Sequence, residues 1–204
     1  MSHSLNSPVN SPVNSSNSFG HEPVMAAEIV EVFAPVPHGV IVDATMGGAG
    51  HTARLLKAYP WMRVLGIDQD PLAIAHARKL VSEHTEVGER LMIEQGRFDE
   101  MTAMLERNSI TEISGALFDL GVSSPQLDIG DRGFSYRNAG PLDMRMDTTQ
   151  QLKASDVVNS YDVEQLTHVL RNNADERFAY RISKAIIAAR PITDTVQLLS
   201  LIHI

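Results

Sequence analysis

Val40-Ile41-Val42-Asp43-Ala44-Thr45-Met46-Gly47-Gly48-Ala49-Gly50-His51 is the stretch that decides the fold. A short apolar run ends in an aspartate, as a strand buried on both faces does. A glycine-rich turn follows, and the residues from about His51 to Ala58 read as a helix. Glycine admits positive φ and lets a ligand come close to the backbone. A strand feeding such a turn and then a helix is a binding geometry, although a plain tight turn has the same composition.

The same rhythm continues outward. Val64-Leu65-Gly66-Ile67 is a second strand and ends in Asp68. Asp70-Pro71 supplies an N-cap and a proline at N1 for a helix to about Ser82. Leu91-Met92-Ile93 is a third strand. Asp99 is expected to cap a helix bearing Met101, Met104 and Leu105 on one face. Ala116-Leu117-Phe118 is a fourth strand and ends in Asp119. Upstream, Pro23 suits the first position of a helix running to about Phe33. Strand and helix alternating with short connections predict an α/β domain with a parallel sheet, its ligand outside the carboxyl ends of the strands.

After Asp119 the period is lost. Residues 120–150 are rich in Gly, Ser, Pro, Asp and Arg, and a long segment without periodicity is usually functional or disordered. Residues 152–190 read as helices, with Val163, Leu166, Val169 and Leu170 in one apolar stripe and Phe178, Ile182, Ala185, Ile186 and Ala189 in another. Residues 1–20 repeat Ser-Pro-Val-Asn and carry His3 as their one ionisable side chain. They are expected to be a disordered tail, lacking apolar surface to offset ordering.

Composition narrows the function. The chain contains no cysteine, which excludes disulfides, Cys-ligated metal and a cysteine nucleophile within these residues. No apolar stretch approaches the ~20 residues of a membrane helix. The net charge of −8 is unlike that of a protein gripping naked duplex, so a nucleic-acid partner needs a local basic patch.

Four further segments carry chemistry. Asp68, at the end of the second strand, can accept both hydroxyls of a ribose, in a dinucleotide or in S-adenosylmethionine alike. Gly48-Ala49-Gly50-His51-Thr52-Ala53 also fits G-x-G-x-x-A, so a nicotinamide site stays open here. In Gly96-Arg97-Phe98 the aromatic can pack near an adenine or simply fill a core. Asp119-Leu120-Gly121-Val122-Ser123-Ser124-Pro125-Gln126-Leu127-Asp128 follows the fourth strand, where amino-methyltransferases present acceptors to a target amine. It lacks the G-x-S-x-G of a nucleophile elbow. Arg132-Gly133-Phe134-Ser135-Tyr136 and Gly140–Asp147 interleave aromatic and basic residues, which suits single-stranded RNA as well as a solvated loop.

Read together, these segments resemble the ribosomal RNA small-subunit methyltransferase H (MraW) family. The likeness runs over about residues 21–198, from His21-Glu22-Pro23-Val24 through the glycine turn and Gly66-Ile67-Asp68-Gln69-Asp70-Pro71 to the loop opened by Leu117-Phe118-Asp119, its most specific part. It implies a class I S-adenosylmethionine-dependent (Rossmann-like) sheet with a helical substrate-recognition insert. It implies methyl transfer to the exocyclic N4 of a cytidine in 16S rRNA of the small ribosomal subunit, by a cytoplasmic enzyme without a metal. A homodimer is compatible with it. It places the cofactor on Ala49, Gly50, His51, Asp68, Phe98, Asp119 and Gln126. The family carries Gly where Ala49 stands, a change tolerated unless φ there is positive. It carries Gly-Glu-Glu where this chain has Ala174-Asp175-Glu176.

The expected organisation is a methyltransferase portion over 21–119 and a loop and helical insert over 120–198. A class I sheet has about three more strands than the sequence supplies, so the sheet is expected to be incomplete and the chain inactive or poorly folded alone. Leu199-Ser200-Leu201-Ile202-His203-Ile204 is what a transposase adapter end encodes in sequencing libraries, so 199–204 is expected to be an artefact. Two other function classes remain open on sequence alone. One is a nicotinamide-dependent oxidoreductase. The other is a non-catalytic RNA-binding module, suggested by Arg171, Arg177, Arg181, Lys184 and Arg190 against Asp175 and Glu176.

Overall fold

A computed structural model describes residues 23–137 and 139–202. The Ser-Pro-Val-Asn tail and His21-Glu22 lie outside the described residues. The elements run α1 (Ala26–Phe33), β1 (Val40–Asp43), α2 (Gly50–Ala58), β2 (Arg63–Asp68), α3 (Pro71–Glu83), α4 (Thr85–Gly88), β3 (Leu91–Gln95), α5 (Met101–Arg107) and β4 (Gly115–Leu117). They continue with α6 (Ser124–Asp128), α7 (Ala154–Ser160), α8 (Val163–Ala174), α9 (Ala179–Ala188) and α10 (Thr195–Ile202). Among the described residues no helix is long and apolar enough to cross a membrane.

The four strands form one parallel sheet in the order β3-β2-β1-β4. All four residues of β1 are buried, because helices cover both faces. Ile41, Val64 and Leu117 point into one cluster with Leu55, Leu56 and Ile74 from α2 and α3. Val40, Val42, Leu65 and Ile67 point into the other, where Met104 of α5 packs. The chain thus winds outward from β1 to β3, then crosses back under the sheet through α5 to lay β4 on the other side of β1. That reversal opens a crevice between the carboxyl ends of β1 and β4, where ligands bind in open α/β sheets.

Several local expectations change. Helix α1 starts at Ala26, with Met25 at its N-cap in the left-handed region (φ 53°), rather than at Pro23. The Pro23 ring instead lies against the glycine turn, so that a Cβ on Gly50 would sit 2.6 Å from its Cγ. Asp99 does not cap α5. It sits in a 3₁₀ turn, Phe98–Glu100, and Arg97 holds its carboxylate through Nε and Nη2 at 3.0 and 3.1 Å. Strand β4 ends at Leu117, and Phe118 turns outward to 46% exposure. Ala49 caps α2 with φ 59°, the positive φ that alanine resists, at a cost of roughly 1–2 kcal/mol.

The second portion has its own core of Leu142, Val158, Leu166, Ile182, Ile186 and Ile192. Leu166 is the buried member of the α8 stripe. Phe178 and Ala189, expected in the α9 stripe, are exposed, since Phe178 precedes the helix and Ala189 follows it. Asp175 ends α8 in the left-handed conformation (φ 48°), which aspartate adopts more readily than most residues. Leu198 and Leu201 of α10 pack against this core.

Candidate functional site

A cleft of about 650 Å³ opens at the carboxyl ends of β1, β2 and β4. Its floor is the glycine turn, one wall is formed by Asp68–Asp70 and Gly96–Asp99, and the other by Asp119–Gln126. Backbone bonds fix the rim: Ala44 N–H donates to Leu117 O and Met46 N–H to Ile67 O, each at 2.9 Å. Thr45 Oγ1 accepts from Asp119 N–H at 2.7 Å, tying the β1 end to the β4 end.

Of the seven residues expected to hold a cofactor, Gly50, His51, Asp68, Phe98, Asp119 and Gln126 line this cleft. Ala49 does not. Its methyl is fully buried in the core beneath the turn.

Asp68 anchors the turn. One carboxylate oxygen accepts from Gly47 N–H at 2.7 Å and the other from Asp70 N–H at 2.8 Å. Burial raises its pKa, the backbone N–H groups of Asp70, Gly47 and Gln69 oppose that, and the neighbouring Asp70 carboxylate adds to it. A carboxylate has about four acceptor positions, so lone pairs remain for a vicinal diol. Phe98 is 43% exposed and meets Phe118 edge to face at 5.6 Å between centroids. This exposed face suits a flat ring, as a packed core phenylalanine would not.

Beneath the turn Asp43 is fully buried. Burial pushes its carboxyl up to about 6, against the opposing pull of the Thr52 hydroxyl, the Thr45 amide and the nearby His51. Thr52 Oγ1 donates to it at 2.6 Å. His51, 9% exposed, brings Nε2 to 3.7 Å from Asp119 Oδ2. That separation is too long for a hydrogen bond. Among the described residues Nδ1 of His51 is buried without a hydrogen-bond partner. Asp119 itself is about half exposed at the cleft.

The expected loop wall proves to be ordered by a polar network. Asp70 uses Oδ1 to cap α3 through Leu72 N–H. Its Oδ2 accepts from Gln126 Nε2 at 2.9 Å and Arg132 Nη1 at 2.8 Å. Gln126 Oε1 accepts from Ser123 N–H, closing a capping box on α6. Arg132 Nη2 donates to the carbonyls of Arg145 and Met146. Arg132 is therefore a buried tie, not the solvent-facing RNA contact its motif suggested. Arg145 likewise turns inward, gripping Asp143 through Nε and Nη2. The N-cap role of Asp70 is legible from Asp70-Pro71. Its second role is not, since the partners lie 56 and 62 residues away. Thr45 and Thr52 gave no sequence signal beyond their place in the turn.

The chain's likeness to known proteins is specific. The family model described as the MraW methylase family matches residues 18–204. The protein called Ribosomal RNA small subunit methyltransferase H in Parafrankia sp. is 42% identical over 189 residues, which cover 90% of this chain and 57% of that protein. Proteins of the same name are 43% identical in Mycolicibacterium smegmatis, with 90% of this chain and 52% of theirs covered, and 43% in Mesoplasma florum, with 89% and 58%. The chain thus spans just over half the length of these curated relatives.

Proposed function

Because the chain belongs to the MraW methylase family, we propose that its cleft holds S-adenosylmethionine and serves methyl transfer to the exocyclic N4 of a cytidine in 16S rRNA of the small ribosomal subunit. The observation that carries this reading is the cleft at the β1/β4 reversal, where Asp68, Phe98, His51 and Asp119 converge with the Asp119–Gln126 loop. The glycine turn would suit a nicotinamide dinucleotide equally well. The acceptor-rich loop and the family favour the methyl donor, and the relatives' printed name points to ribosomal RNA.

When bound, S-adenosylmethionine supplies an electrophilic methyl group on a sulfonium. Asp68 then accepts from the ribose hydroxyls with the lone pairs that Gly47 and Asp70 leave over. The exposed face of Phe98 takes the adenine. Gly50 and His51 open α2 beside the methionine portion, and the turn there brings backbone rather than side chain to the ligand. Gln126 keeps one amide N–H beyond the one given to Asp70, on the cleft wall.

The target amine is a weak nucleophile, since its lone pair is delocalised into the ring. Orientation is therefore the chain's main contribution. Asp119 and the carbonyls of Leu120–Ser123 accept hydrogen bonds from the amine N–H groups and turn its lone pair toward the methyl. The His51 ring lies beside the Asp119 carboxylate, with Nε2 3.7 Å from Oδ2. The direct test is methylation of small ribosomal subunits with methyl-labelled S-adenosylmethionine and mass spectrometry of the released nucleosides. N4-methylcytidine that disappears with Asp119→Ala supports the reading, and full activity of that variant rejects the role of Asp119.

A further inference from the structure

All four cation–π contacts among the described residues fall between residues 132 and 184. In one of them Arg132 is buried and already paired with Asp70. The other three face solvent. Arg137 lies 5.7 Å from the Tyr136 ring, Arg177 5.7 Å from Phe178 and Lys184 5.8 Å from Tyr180. These rings are 61%, 58% and 55% exposed. Single exposed apolar side chains need no explanation, but a cluster of large ones marks an interaction surface.

Two of the three pairs are neighbours in sequence. Tyr180, Arg181 and Lys184 are exposed on α9, with Tyr180 and Lys184 one turn apart, and Arg177 and Phe178 are exposed in the turn that leads into the helix. The opposite face of α9, with Ala179, Ile182, Ser183 and Ile186, is buried. Among the described residues none of Arg137, Arg177, Arg181 and Lys184 has an ion-pair partner. The nearest acid in sequence, Glu176, turns Oε1 to the Phe178 amide. On a chain of net charge −8, this is a basic face, bordered by Asp175 and Glu176, with aromatic rings set into it.

We propose that the outer face of α9 and the turn that leads into it bind single-stranded RNA, with a base stacked on Tyr180 and phosphates held by Arg177, Arg181 and Lys184. The choice of RNA rests on the methyl-acceptor reading above. The side-chain chemistry selects the form of the partner. An acidic peptide would satisfy the cations but offers no π face to the rings. A duplex keeps its bases stacked within the helix, whereas unpaired bases are free to stack on aromatic side chains. Phe178 beside Arg177 extends the platform by a second ring.

The test is fluorescence anisotropy of the chain with a labelled mixed-sequence single-stranded RNA 20-mer, across a salt series. Tyr180→Ala should weaken binding about 10-fold, while Tyr180→Phe, which keeps the π face, should bind like the parent. Arg181→Ala with Lys184→Ala should lower the slope of log K against log salt by about 1.4, or ~0.7 per lost phosphate contact. Lys79→Ala, an exposed cation of α3 paired with Glu83, should change neither. All these side chains are solvent-facing, and circular dichroism of each variant confirms the fold. The proposal is overturned if the parent does not bind the RNA, if the α9 variants bind it unchanged, or if polyglutamate or duplex RNA of equal charge competes as well as the single strand. The two claims fail separately. RNA binding lost with Tyr180→Ala upholds this surface even if no ribosomal RNA is methylated. Methylation with unchanged binding by the α9 variants rejects the surface and leaves the acceptor reading intact.

Discussion

Asp70→Asn tests whether the loop bearing Asp119–Gln126 hangs on the end of β2. Asparagine caps a helix about as well as aspartate, so Leu72 N–H keeps its acceptor and α3 keeps its start. The negative charge beneath the Arg132 guanidinium is lost. The two side chains are 9% and 5% exposed, so little solvent screens the pair. A surface pair would be worth about 0–1 kcal/mol, whereas stranding one partner of a buried pair costs about 3–5 kcal/mol. Arg132 retains its bonds to the carbonyls of Arg145 and Met146, at 2.9 and 3.1 Å. That places the expected loss at the low end, about 3 kcal/mol. In a chain of this length it lowers Tm by roughly 6–12 °C. Denaturant unfolding of Asp70→Asn, Arg132→Met and the double variant gives the coupling directly. We expect more than about 2 kcal/mol. Hydrogen exchange should locate the damage, with the amides of Ser123, Gln126 and Met144 losing protection while those of β1 and β2 keep theirs. Coupling below about 1 kcal/mol, or loss of protection spread evenly over the sheet, would mean that Asp70 does not hold the loop.

Other outcomes follow from the same geometry. The folded pKa of Asp43, about 6, stands above its ordinary 3.8, so its stabilising contribution is full below about pH 4 and is lost as pH rises through 6, by roughly 3 kcal/mol. Asp43→Asn should therefore gain that amount relative to the parent between about pH 4 and 7 in denaturant titrations, and a pH-independent difference would rule the shift out. Gly133 has φ 75°, and a Cβ there would lie 2.2 Å from Pro141 O, so Gly133→Ala should cost about 2–4 kcal/mol by calorimetry. Ala49→Gly relieves about 1–2 kcal/mol of left-handed strain and forfeits about 0.8 kcal/mol of methyl burial. Its stability should stay within about 1 kcal/mol of the parent, and a larger loss would mean that the buried methyl matters more than the strain.

The sheet was legible because its signals are local. Val40–Val42 and Val64–Ile67 are apolar on both faces, as strands covered by helices must be, and each runs straight into an aspartate. Asp70-Pro71 marks a helix start with adjacent residues. Asp99 misled because Arg97, two residues away, competes for the same carboxylate. Pro23 misled because its ring is used for packing on Gly50 rather than to start a helix. The wall from Ser123 to Met146 was illegible as structure, since its order comes from Asp70 bonding residues 56 and 62 positions away and leaves no period behind. The candidate site was better marked than its support. Six of the seven expected residues line one cleft because strand ends in a parallel sheet converge by topology. The position of Ala49 depends on φ, which no composition reveals.

The ligand of that cleft decides the chain's function. Isothermal titration of the chain with S-adenosylmethionine, and separately with NADH, is the direct measurement. One site is expected for S-adenosylmethionine, weakened about 100-fold by Asp68→Ala, which removes charge-assisted bonds worth roughly 1.5–3 kcal/mol each, and no heat is expected with NADH. Binding of NADH with no heat from S-adenosylmethionine, or S-adenosylmethionine affinity untouched by Asp68→Ala, would contradict the proposed function.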